Sequence, residues 1–468
     1  MLSIFSGQNR DCEGVSRREL FRVGALGATG LSLPGLMELK AAEAEAGAVK
    51  DVSVVLLWLQ GGPSHIETFD PKMTAPVEIR GMFGEVKTSL PGVTFGGTFP
   101  KLAGMADKLA VVRSFQSGIS SHKTGSRWVS SGGNSTEANM GSLYARMAGN
   151  NNPHTGMPRN VLLLPSSAGE EYKDFIRKGP ERFTQVGELG SSFAPFDPST
   201  GSGGQGVENM KLHLPDGRFE DRRTLLTALD HLKRQADSSD VLAGANTAEQ
   251  QATSVLLGGV SDAFDLSKED PRTVAMYDTG HCTIPESVLK KKNPDIWQYS
   301  PVALGKQLLM ARRLCEAGAG YVTVCSTGWD MHGGRFGIVD GIPCLGSALD
   351  HAVSAFITDL EQRGLTDKIL LVMMGEMGRT PRINRKGGRD HWGNLCSVAF
   401  AGGGLPMGQV IGTSDRLASM PASDQIGVSH VLGTIMDSVL DRNALRNDKR
   451  MDENLLRSID APTIPQLS

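Results

Sequence analysis

Histidines and carboxylates recur in four short, glycine-rich segments of this 468-residue chain. The segments are GGPSH with His65, SSHKTG with His122, WDMHGG with Asp330 and His332, and GEMGRTPRINRKGGRDHWGN with Glu376, Asp390 and His391. Neutral imidazole combined with carboxylate is the ligand set that suits zinc, manganese or iron. A single loop histidine is more often structural than a ligand, so the pattern predicts a metal site only if the four segments meet in the fold.

Each segment follows a run of residues that is typical of a buried strand. The runs are DVSVVLLWLQGG (51–62), LAVVR (109–113), YVTVCS (321–326) and KILLVMM (368–374). Continuous apolar runs of this length predict parallel strands that are covered on both faces. Ligands of open parallel sheets bind beyond the carboxyl ends of the strands. We therefore expect the four segments to meet at one edge of a sheet and to hold one or two divalent metal ions.

Helical patterns separate these strands. Apolar residues at i, i+3, i+4 and i+7 from Leu345 to Leu360 predict an amphipathic helix that ends at the glycine cap Gly364. Further patterns predict strands at 161–165 and 396–404. Strands that alternate with helices predict an α/β fold in which helices cover both faces of a mostly parallel central sheet.

Two other stretches interrupt this alternation or complete it. A Gly/Ser/Pro-rich stretch at 191–206 and two helical patterns at 218–262 predict a loop-rich and helical insertion around residues 166–300. A closing helix is expected at 428–440.

The composition excludes some classes of protein. Hydrophobic residues make up 39% and charged residues 21% of the chain, which is typical of a globular protein. The formal net charge is −3 and no basic stripe is present, so we expect no nucleic-acid partner.

The amino terminus has the order of an export peptide. SRRELF (16–21) places paired arginines before the weakly apolar run VGALGATGLSLPGLM and the small residues of AAEAEAG. This order predicts a signal peptide at 1–46 that uses the twin-arginine export machinery and is cleaved near Ala44 or Ala46. The alternative is an amphipathic helix with a chance arginine pair. The apolar run is too short and too broken to anchor the chain in a membrane. We expect residues 47–468 to form a single periplasmic or secreted domain without a transmembrane anchor.

Cysteines give a weaker signal. Removal of residues 1–46 would leave five, an odd number, and no C-x-x-C pair occurs. Cys315, Cys325 and Cys396 lie in or beside apolar segments, which predicts buried, unreactive thiols.

Cations crowd the segment that carries His391. A guanidinium beside metal ligands favours a phosphate, sulfate or carboxylate group. Arg379 is nearest to the end of its strand and is the predicted anion contact. Arg382, Arg385 and Lys386 are predicted to be surface residues.

Together, GGPSH with FDPK, SSHKTG, WDMHGG and GEMGRTPRIN with GRDHWG resemble the domain-of-unknown-function family 1501. This family of exported proteins is similar to sulfatases and to the alkaline phosphatase superfamily. The resemblance spans nearly the whole mature chain. It implies an alkaline-phosphatase-like three-layer sandwich with a one-metal or two-metal site at the carboxyl ends of the strands, and a nucleophile near the start of a helix.

Carried over residue by residue, the resemblance gives each candidate a role. Asp330 and His332 look like the superfamily's Asp-x-x-x-His metal pair, although the spacing here is Asp-x-His. Glu376 stands where the superfamily has an Asp-His-Gly strand end, so an acid is kept and a histidine is lost. His391 is similar to the late metal histidine. His65 takes the place of the first metal ligand, and Asp390 either binds metal or orients His391 from outside.

The position of the nucleophile departs from the sulfatase pattern. Sulfatases carry Cys-x-Pro-x-Arg, or Ser for Cys, and His122 falls in that place here. Cys282 in CTIPE lacks the Pro and Arg spacing, so formylglycine chemistry is excluded. The attacking group is then Ser120 or Ser121, or His122, or a water activated by the metal; His122 is equally a candidate ligand.

Three functions fit these residues. The leading one is an exported metal-dependent hydrolase of phosphate or sulfate esters, with Ser121, His122 and Arg379 as candidate catalytic residues and zinc, manganese, iron or calcium as cofactor. The expected substrate is a small-molecule or polysaccharide anionic ester. The alternatives are a non-catalytic metal-containing binding or scaffold protein of the same fold, and a metal hydrolase that cleaves another bond.

Overall fold

The structure is a computed structural model. It describes residues 48–169, 183–199, 260–290, 301–448 and 451–468. The predicted signal peptide and most of the two predicted helices at 218–262 lie outside the described residues, as does much of the predicted insertion at 166–300.

Seven strands form the central sheet of the described chain. They are β1 (Ser53–Gln60), β4 (Ala110–Phe115), β5 (Asn160–Leu163), β6 (Tyr321–Thr327), β7 (Ile369–Met374), β10 (Cys396–Gly402) and β11 (Gln409–Ile411). Two hairpins lie outside this sheet: β2 (Glu85–Lys87) pairs with β3 (Thr94–Gly96), and β8 (Gly378–Arg379) pairs with β9 (His391–Trp392).

The order of the sheet is β11-β4-β10-β7-β1-β6-β5. Neighbours are parallel except that β10 runs antiparallel to both β4 and β7. The predicted mostly parallel sheet is confirmed. The reversed direction of β10 was not predicted, because an apolar run fixes the presence of a buried strand but not its direction.

The helices of the described chain cover both faces of this sheet. They are α1 (Pro100–Gly104), α2 (His122–Ser131), α3 (Met140–Ala148), α4 (Ser261–Phe264), α5 (Pro271–Met276), α6 (Glu286–Leu289), α7 (Leu304–Glu316), α8 (Ile338–Gly341), α9 (Ser347–Arg363), α10 (Val428–Val439), α11 (Arg442–Arg446) and α12 (Glu453–Ile459). The amphipathic helix predicted before Gly364 is α9. Gly364 caps it at φ 67°, a left-handed conformation that glycine adopts without strain.

Strand β1 explains why the fold has three layers. Its side chains alternate between two apolar cores, since successive residues of a strand point to opposite faces. Val55, Leu57 and Leu59 enter a core shared with α7 and α9, whereas Val54, Leu56 and Trp58 enter a core shared with α3 and α10. The predicted three-layer α/β fold class is confirmed.

The cysteine prediction also holds. Within the described residues, Cys282, Cys315, Cys325, Cys344 and Cys396 are all buried and form no disulfide. Among the described residues, none of the helices is both long enough and apolar enough to cross a bilayer.

Candidate metal centre

The strand order brings the histidine and acid segments to one edge of the sheet. The five neighbouring strands β4, β10, β7, β1 and β6 contribute to that edge. His122 follows β4, Glu376 follows β7, and Asp330 follows β6. His391 precedes β10, and because β10 is antiparallel, its start lies at the same edge as the carboxyl ends of its neighbours. The predicted convergence of segments therefore occurs for these residues.

Four of the predicted site residues form a cluster. One ligand atom from each of His122, Asp330, His332 and His391 lies within 4.8 Å of the other three. Asp330 is at its centre: Oδ2 lies 3.2 Å from His122 Nε2, and Oδ1 lies 3.0 Å from His332 Nε2 and 3.3 Å from His391 Nε2. The Nε2 atoms of His332 and His391 are 2.9 Å apart.

The outward nitrogen of each histidine has its own partner. His122 Nδ1 lies 2.8 Å from Glu376 Oε1, and His332 Nδ1 lies 2.8 Å from Asp390 Oδ1. His391 Nδ1 lies 3.2 Å from the carbonyl oxygen of Ser120. A carboxylate or carbonyl on the outer nitrogen fixes the tautomer and presents the inner nitrogen's lone pair, which is the arrangement found around metal-bound histidines.

His122 supplies a direct test of whether a metal fits. Its Nε2 is buried and makes no hydrogen bond, although Asp330 Oδ2 lies only 3.2 Å away. A buried ring nitrogen without a hydrogen-bond partner is costly, because its lone pair has lost water and gained nothing. A cation shared with Asp330 would satisfy both atoms, so the donor set fits a metal ion.

The charges of the site favour a divalent cation. Three carboxylates, those of Asp330, Glu376 and Asp390, lie at the site, and among the described residues the guanidinium of Arg379 pairs with Asp330. With neutral histidines this leaves two uncompensated negative charges. Burial lowers the pKa of His122, but the adjacent carboxylates of Asp330 and Glu376 outweigh it and raise the pKa to about 9.

Asp330 and His332 respond to the same charges. Burial raises the pKa of Asp330, yet the three neighbouring histidines and the Arg379 guanidinium hold that pKa well below its ordinary value. The hydrogen bond with Asp330 raises the pKa of His332, against the smaller opposing effect of burial. Asp330 is therefore ionised throughout the physiological range and available as a ligand.

Solvent reaches the cluster. The side chains of His332 and Asp330 are 40% and 37% exposed, and those of His391 and His122 are 25% and 24% exposed. Purely structural zinc sites have all their ligands supplied by the protein, whereas catalytic sites keep a position for water or substrate. The partial exposure of all four side chains leaves room for a ligand from solution.

Glu376 is fully buried and joins the loop after β1 to the cluster. Its two carboxylate oxygens lie 2.9 and 3.2 Å from the backbone nitrogen of Gly61 and accept a hydrogen bond from it. The same carboxylate contacts His122 Nδ1. Gly61 adopts φ +111°, and a Cβ there would lie 2.5 Å from the backbone nitrogen of Asp330. Only glycine allows this approach. Glu376 thus lies outside the four-residue cluster, as a partner of His122.

Arg379 does not take the role predicted for it. The side chain is 1% exposed, and its five N–H groups face five acceptors. Nε donates to the carbonyl oxygen of Gly62 at 2.9 Å. Nη1 lies 3.2 Å from the carbonyl oxygen of Arg389 and 3.5 Å from His332 Nε2. Nη2 donates to Asp330 Oδ1 at 2.5 Å and to the carbonyl oxygen of Gly61. No donor remains for a substrate anion. Arg379 instead positions Asp330 and stabilises the loop after β1 through hydrogen bonds to the carbonyl oxygens of Gly61 and Gly62.

His65 is not brought into the cluster. It is 1% exposed, and its Nε2 lies 3.0 Å from the carbonyl oxygen of Ala418. Burial lowers the pKa of His65 to about 4, so the ring is neutral. Its Nδ1 is close to Gly378, where a Cβ would come within 3.0 Å of it. His65 therefore packs beneath β8 as a structural residue, although its motif resembles those of the ligands.

Asp390 orients His332, where we had expected either a ligand or a partner of His391. Asp390 Oδ1 also accepts from Asn384 Nδ2 at 3.1 Å, and the same amide nitrogen donates to the carbonyl oxygen of His332 at 3.1 Å. The hydrogen bond with His332 lowers the pKa of Asp390. Asn384 was missed by the sequence analysis, because nothing in its local sequence indicates a contact with residue 332.

Two further features of this segment were missed. Strands β8 and β9 form a hairpin that sets His391 opposite Arg379. Arg389, at most 1% exposed with its partner Glu67, donates to Glu67 Oε1 at 2.8 and 3.2 Å. This buried ion pair fixes the residue next to Asp390 and His391. Arg382, Arg385 and Lys386 are exposed, as predicted.

The candidate serines lie directly before His122. Ser120 Oγ accepts from the backbone N–H of Gly393 at 2.8 Å, so this hydroxyl holds the His391 segment. Ser121 is exposed, is the residue before the first turn of α2, and its side chain makes no capping hydrogen bond. Of the two hydroxyls, that of Ser121 is the freer to react.

Fold and site together define an α/β protein with a candidate metal centre at the carboxyl edge of its sheet. The chain belongs to the family described as "Protein of unknown function (DUF1501)", whose pattern matches residues 51–445. No curated protein matches it.

Three solved structures are distantly similar in fold. Ps i-CgsB is 9% identical, with a TM-score of 0.34 over 87% of this chain and 77% of that one. The lipoteichoic acid synthase LtaP from Listeria monocytogenes is 10% identical, with a TM-score of 0.28 over 89% and 81%. The PsFucS1 sulfatase from Pseudoalteromonas sp. is 12% identical, with a TM-score of 0.33 over 86% and 70%. Likenesses this distant say nothing about the chemistry of this chain.

Proposed function

We propose that the protein is a metal-dependent hydrolase of phosphate or sulfate esters that works without a formylglycine. The supporting observation is the cluster of His122, Asp330, His332 and His391, whose inner atoms converge while each histidine's outer nitrogen is held by an oxygen. One such cluster accommodates one metal ion. Three imidazoles and one carboxylate favour zinc, manganese or iron over calcium, which prefers an all-oxygen shell.

In this hydrolase, each residue of the site would have its own role. His122, His332, His391 and Asp330 would hold the ion. A divalent metal ion bound there supplies Lewis acidity toward the ester and lowers the pKa of water. Arg379 keeps Asp330 ionised and oriented through its 2.5 Å contact. Glu376 fixes the ring of His122, and Asp390 fixes that of His332.

Ser121 is the proposed nucleophile within this scheme, and activated water is the alternative. Its hydroxyl lies at the amino terminus of α2, whose unpaired N–H groups favour negative charge that develops nearby. His122 is assigned to the metal rather than to nucleophilic attack, because both of its ring nitrogens lie against carboxylates.

Metal content tests the proposal first. Purified folded protein should contain about one equivalent of a transition metal per chain. The rate of turnover of aryl phosphate and aryl sulfate esters should rise in proportion to the metal content, and turnover should be lost in Asp330→Ala and His391→Ala. His154→Ala is the matched control, since His154 is exposed and outside the cluster. Folded protein that takes up no metal would refute the proposal.

A second candidate is a metal-containing binding or scaffold protein. Three histidines and one aspartate would complete a four-coordinate shell, which is the pattern of structural zinc sites. A chain that holds about one equivalent of metal, yet cleaves no ester on a broad panel, would favour this candidate over the hydrolase.

We also propose a route of export and a cellular location for the protein. The pair Arg17 and Arg18 in SRRELF supports passage through the twin-arginine export machinery to the periplasm or the outside of the cell. Replacement of both arginines by lysine should leave uncleaved precursor inside the cell, as measured by fractionation. Normal processing of that variant would contradict this route.

A further inference from the structure

A cavity of about 580 Å³ opens beside helix α2. Lys123, Arg127 and Trp128 line it from this helix, and Ile119 lines it from the loop that leads into the helix. His122 is the first residue of α2, so one helix contributes both to the candidate metal centre and to the cavity wall. A molecule that occupies the cavity would lie along α2, the helix that begins at His122.

Trp128 gives the cavity an aromatic surface. Its side chain is 43% exposed, unlike Trp58 and Trp329, which are fully buried. Gly133 lies against the edge of the indole, where a Cβ would come within 2.9 Å of Cη2. Gly133 adopts φ +69°, so a larger residue there would be strained as well as crowded. An exposed indole held in place by the backbone is suited to stack against the flat face of a sugar ring.

Two cations next to Trp128 have free donors. Arg127 donates through Nε to Gln185 Oε1 at 2.8 Å, which fixes the side chain. Its terminal nitrogens and the ammonium of Lys123 have no ion-pair partner within the described ranges, and both residues are exposed. A fork of free guanidinium N–H groups matches the oxygens of a sulfate, phosphate or carboxylate.

The rest of the lining adds acceptors. Glu137 also faces the cavity, and its carboxylate can accept hydrogen bonds from hydroxyl groups. The combination of an aromatic face, two cations and one carboxylate is unsuited to an apolar ligand. It corresponds to a ligand with ring faces, hydroxyls and at least one anionic group.

We propose that this cavity is a subsite for an anionic saccharide. A sugar ring stacks on Trp128, and its sulfate, phosphate or carboxylate group contacts Arg127 and Lys123. The neighbouring residue of the same saccharide carries the ester to the metal centre. The proposal rests on the proposed hydrolase function and narrows its substrate to an anionic oligosaccharide of at least two units.

Direct binding tests the subsite without any need for catalysis. A sulfated galactan hexasaccharide should bind the intact protein in calorimetry, and its desulfated counterpart should bind at least about tenfold more weakly because the charge-assisted contacts are lost. Trp128→Ala and Arg127→Gln should each weaken binding about tenfold. Arg272→Gln is the matched control, since that arginine is 94% exposed on α5 and far from the cavity in sequence. Equal affinity for all these proteins, or no binding of the sulfated hexasaccharide, would overturn the subsite.

Kinetics separate this proposal from the proposed function. The ratio of kcat/KM for a sulfated disaccharide to kcat/KM for an aryl sulfate should fall about tenfold in Trp128→Ala, mainly through KM. An unchanged ratio would overturn the subsite while leaving the hydrolase intact. Saccharide binding that depends on Trp128 in a protein that cleaves neither ester would support the subsite and refute the hydrolase.

Discussion

Two clusters of charged residues in this chain are built in opposite ways. In the first, formed by helices α7 and α9 and by Glu269 just before α5, Arg312 donates to Asp359, Glu316 and Glu269 at 2.8, 2.5 and 2.7 Å. Arg313 and Arg363 also pair with Glu269. The second is the candidate metal centre around Asp330. Both bring carboxylates together, but only the second leaves charge unbalanced.

The balance of charge explains the difference. The Arg312 cluster has three arginines and three carboxylates, so its charges cancel and its donors meet acceptors. Tyr277 completes it by donating to Asp359 at 2.9 Å. Around Asp330 three carboxylates meet one guanidinium, and His122 Nε2 has no hydrogen bond. We call the Arg312 cluster closed, because its charges balance and it offers no net charge to a cation. We call the Asp330 cluster open, because its excess negative charge can bind a cation.

The strongest test of this contrast removes the central acid of the metal centre. Asp330→Ala deletes the carboxylate that lies within 3.3 Å of all three histidines. Metal content should fall from about one equivalent to background and ester turnover should vanish with it, while circular dichroism shows a folded chain. Full metal retention in this variant would mean that the cluster is not the metal site.

The same change in the closed cluster should act on the fold. Asp359 is 2% exposed and accepts from Arg312, Arg363 and Tyr277. Asp359→Ala should lower the free energy of unfolding by about 3–5 kcal/mol, because it removes one of the three carboxylate partners of the buried Arg312 guanidinium and the acceptor of Tyr277 and Arg363. Metal content per folded chain should be unchanged.

Asp51→Ala is the control for this prediction. Asp51 pairs with Lys368 while 88% exposed, so its loss should change the unfolding free energy by less than about 0.5 kcal/mol. If Asp359→Ala is no worse than Asp51→Ala in denaturant unfolding, the Arg312 cluster does not stabilise the fold.

Sequence predicted the position of the candidate metal centre better than the roles of its residues. The apolar runs located all four strand ends, because burial on both faces leaves an unmistakable pattern. His65 and His122 have similar local sequences, yet only His122 reaches the cluster. Strand order does not explain the difference, since β1, which precedes His65, lies between β7 and β6 in the sheet. The contact of His65 with Ala418, which is distant in sequence, holds this histidine outside the cluster.

Arg379 is a second case in which local sequence does not reveal the contacts that decide a residue's role. Its position beside a metal segment predicted an anion contact. Three of its five acceptors are backbone carbonyls, those of residues 61, 62 and 389. Backbone acceptors carry no side-chain signature, so no reading of residue types could have shown that this guanidinium is already saturated.

A smaller effect is expected at the outer partners of the histidines. Glu376→Gln keeps the shape of the side chain but weakens its hold on His122 Nδ1, and should reduce metal affinity about 10–100-fold. Asp390→Asn should reduce metal affinity by less, near the low end of that range, because the Asp390 side chain is 56% exposed whereas that of Glu376 is fully buried. Competition with a chelator gives both affinities. The reverse order would mean that burial does not decide how strongly an outer partner acts.

The smallest effect is a difference in pH response between the clusters in metal-free protein. Burial raises the pKa of Glu269, but hydrogen bonds from Arg313 and Arg312 outweigh it and lower the pKa from 4.5 to about 2. Its contribution to stability is complete above 4.5 and is lost as pH falls toward 2. The pKa of His122 is raised from 6.5 to about 9, so its contribution is complete below 6.5 and is lost as pH rises through 9.

Denaturant unfolding of metal-free protein across pH should therefore show an acid loss that is smaller in Glu269→Gln and an alkaline loss that is smaller in His122→Ala. In metal-loaded protein the alkaline loss should be absent, because a bound cation replaces the proton and is held more tightly as pH rises. The acid loss from the closed cluster should be the same with and without metal. An alkaline loss that persists unchanged in loaded protein would place the metal away from His122 and would remove the contrast between the two clusters.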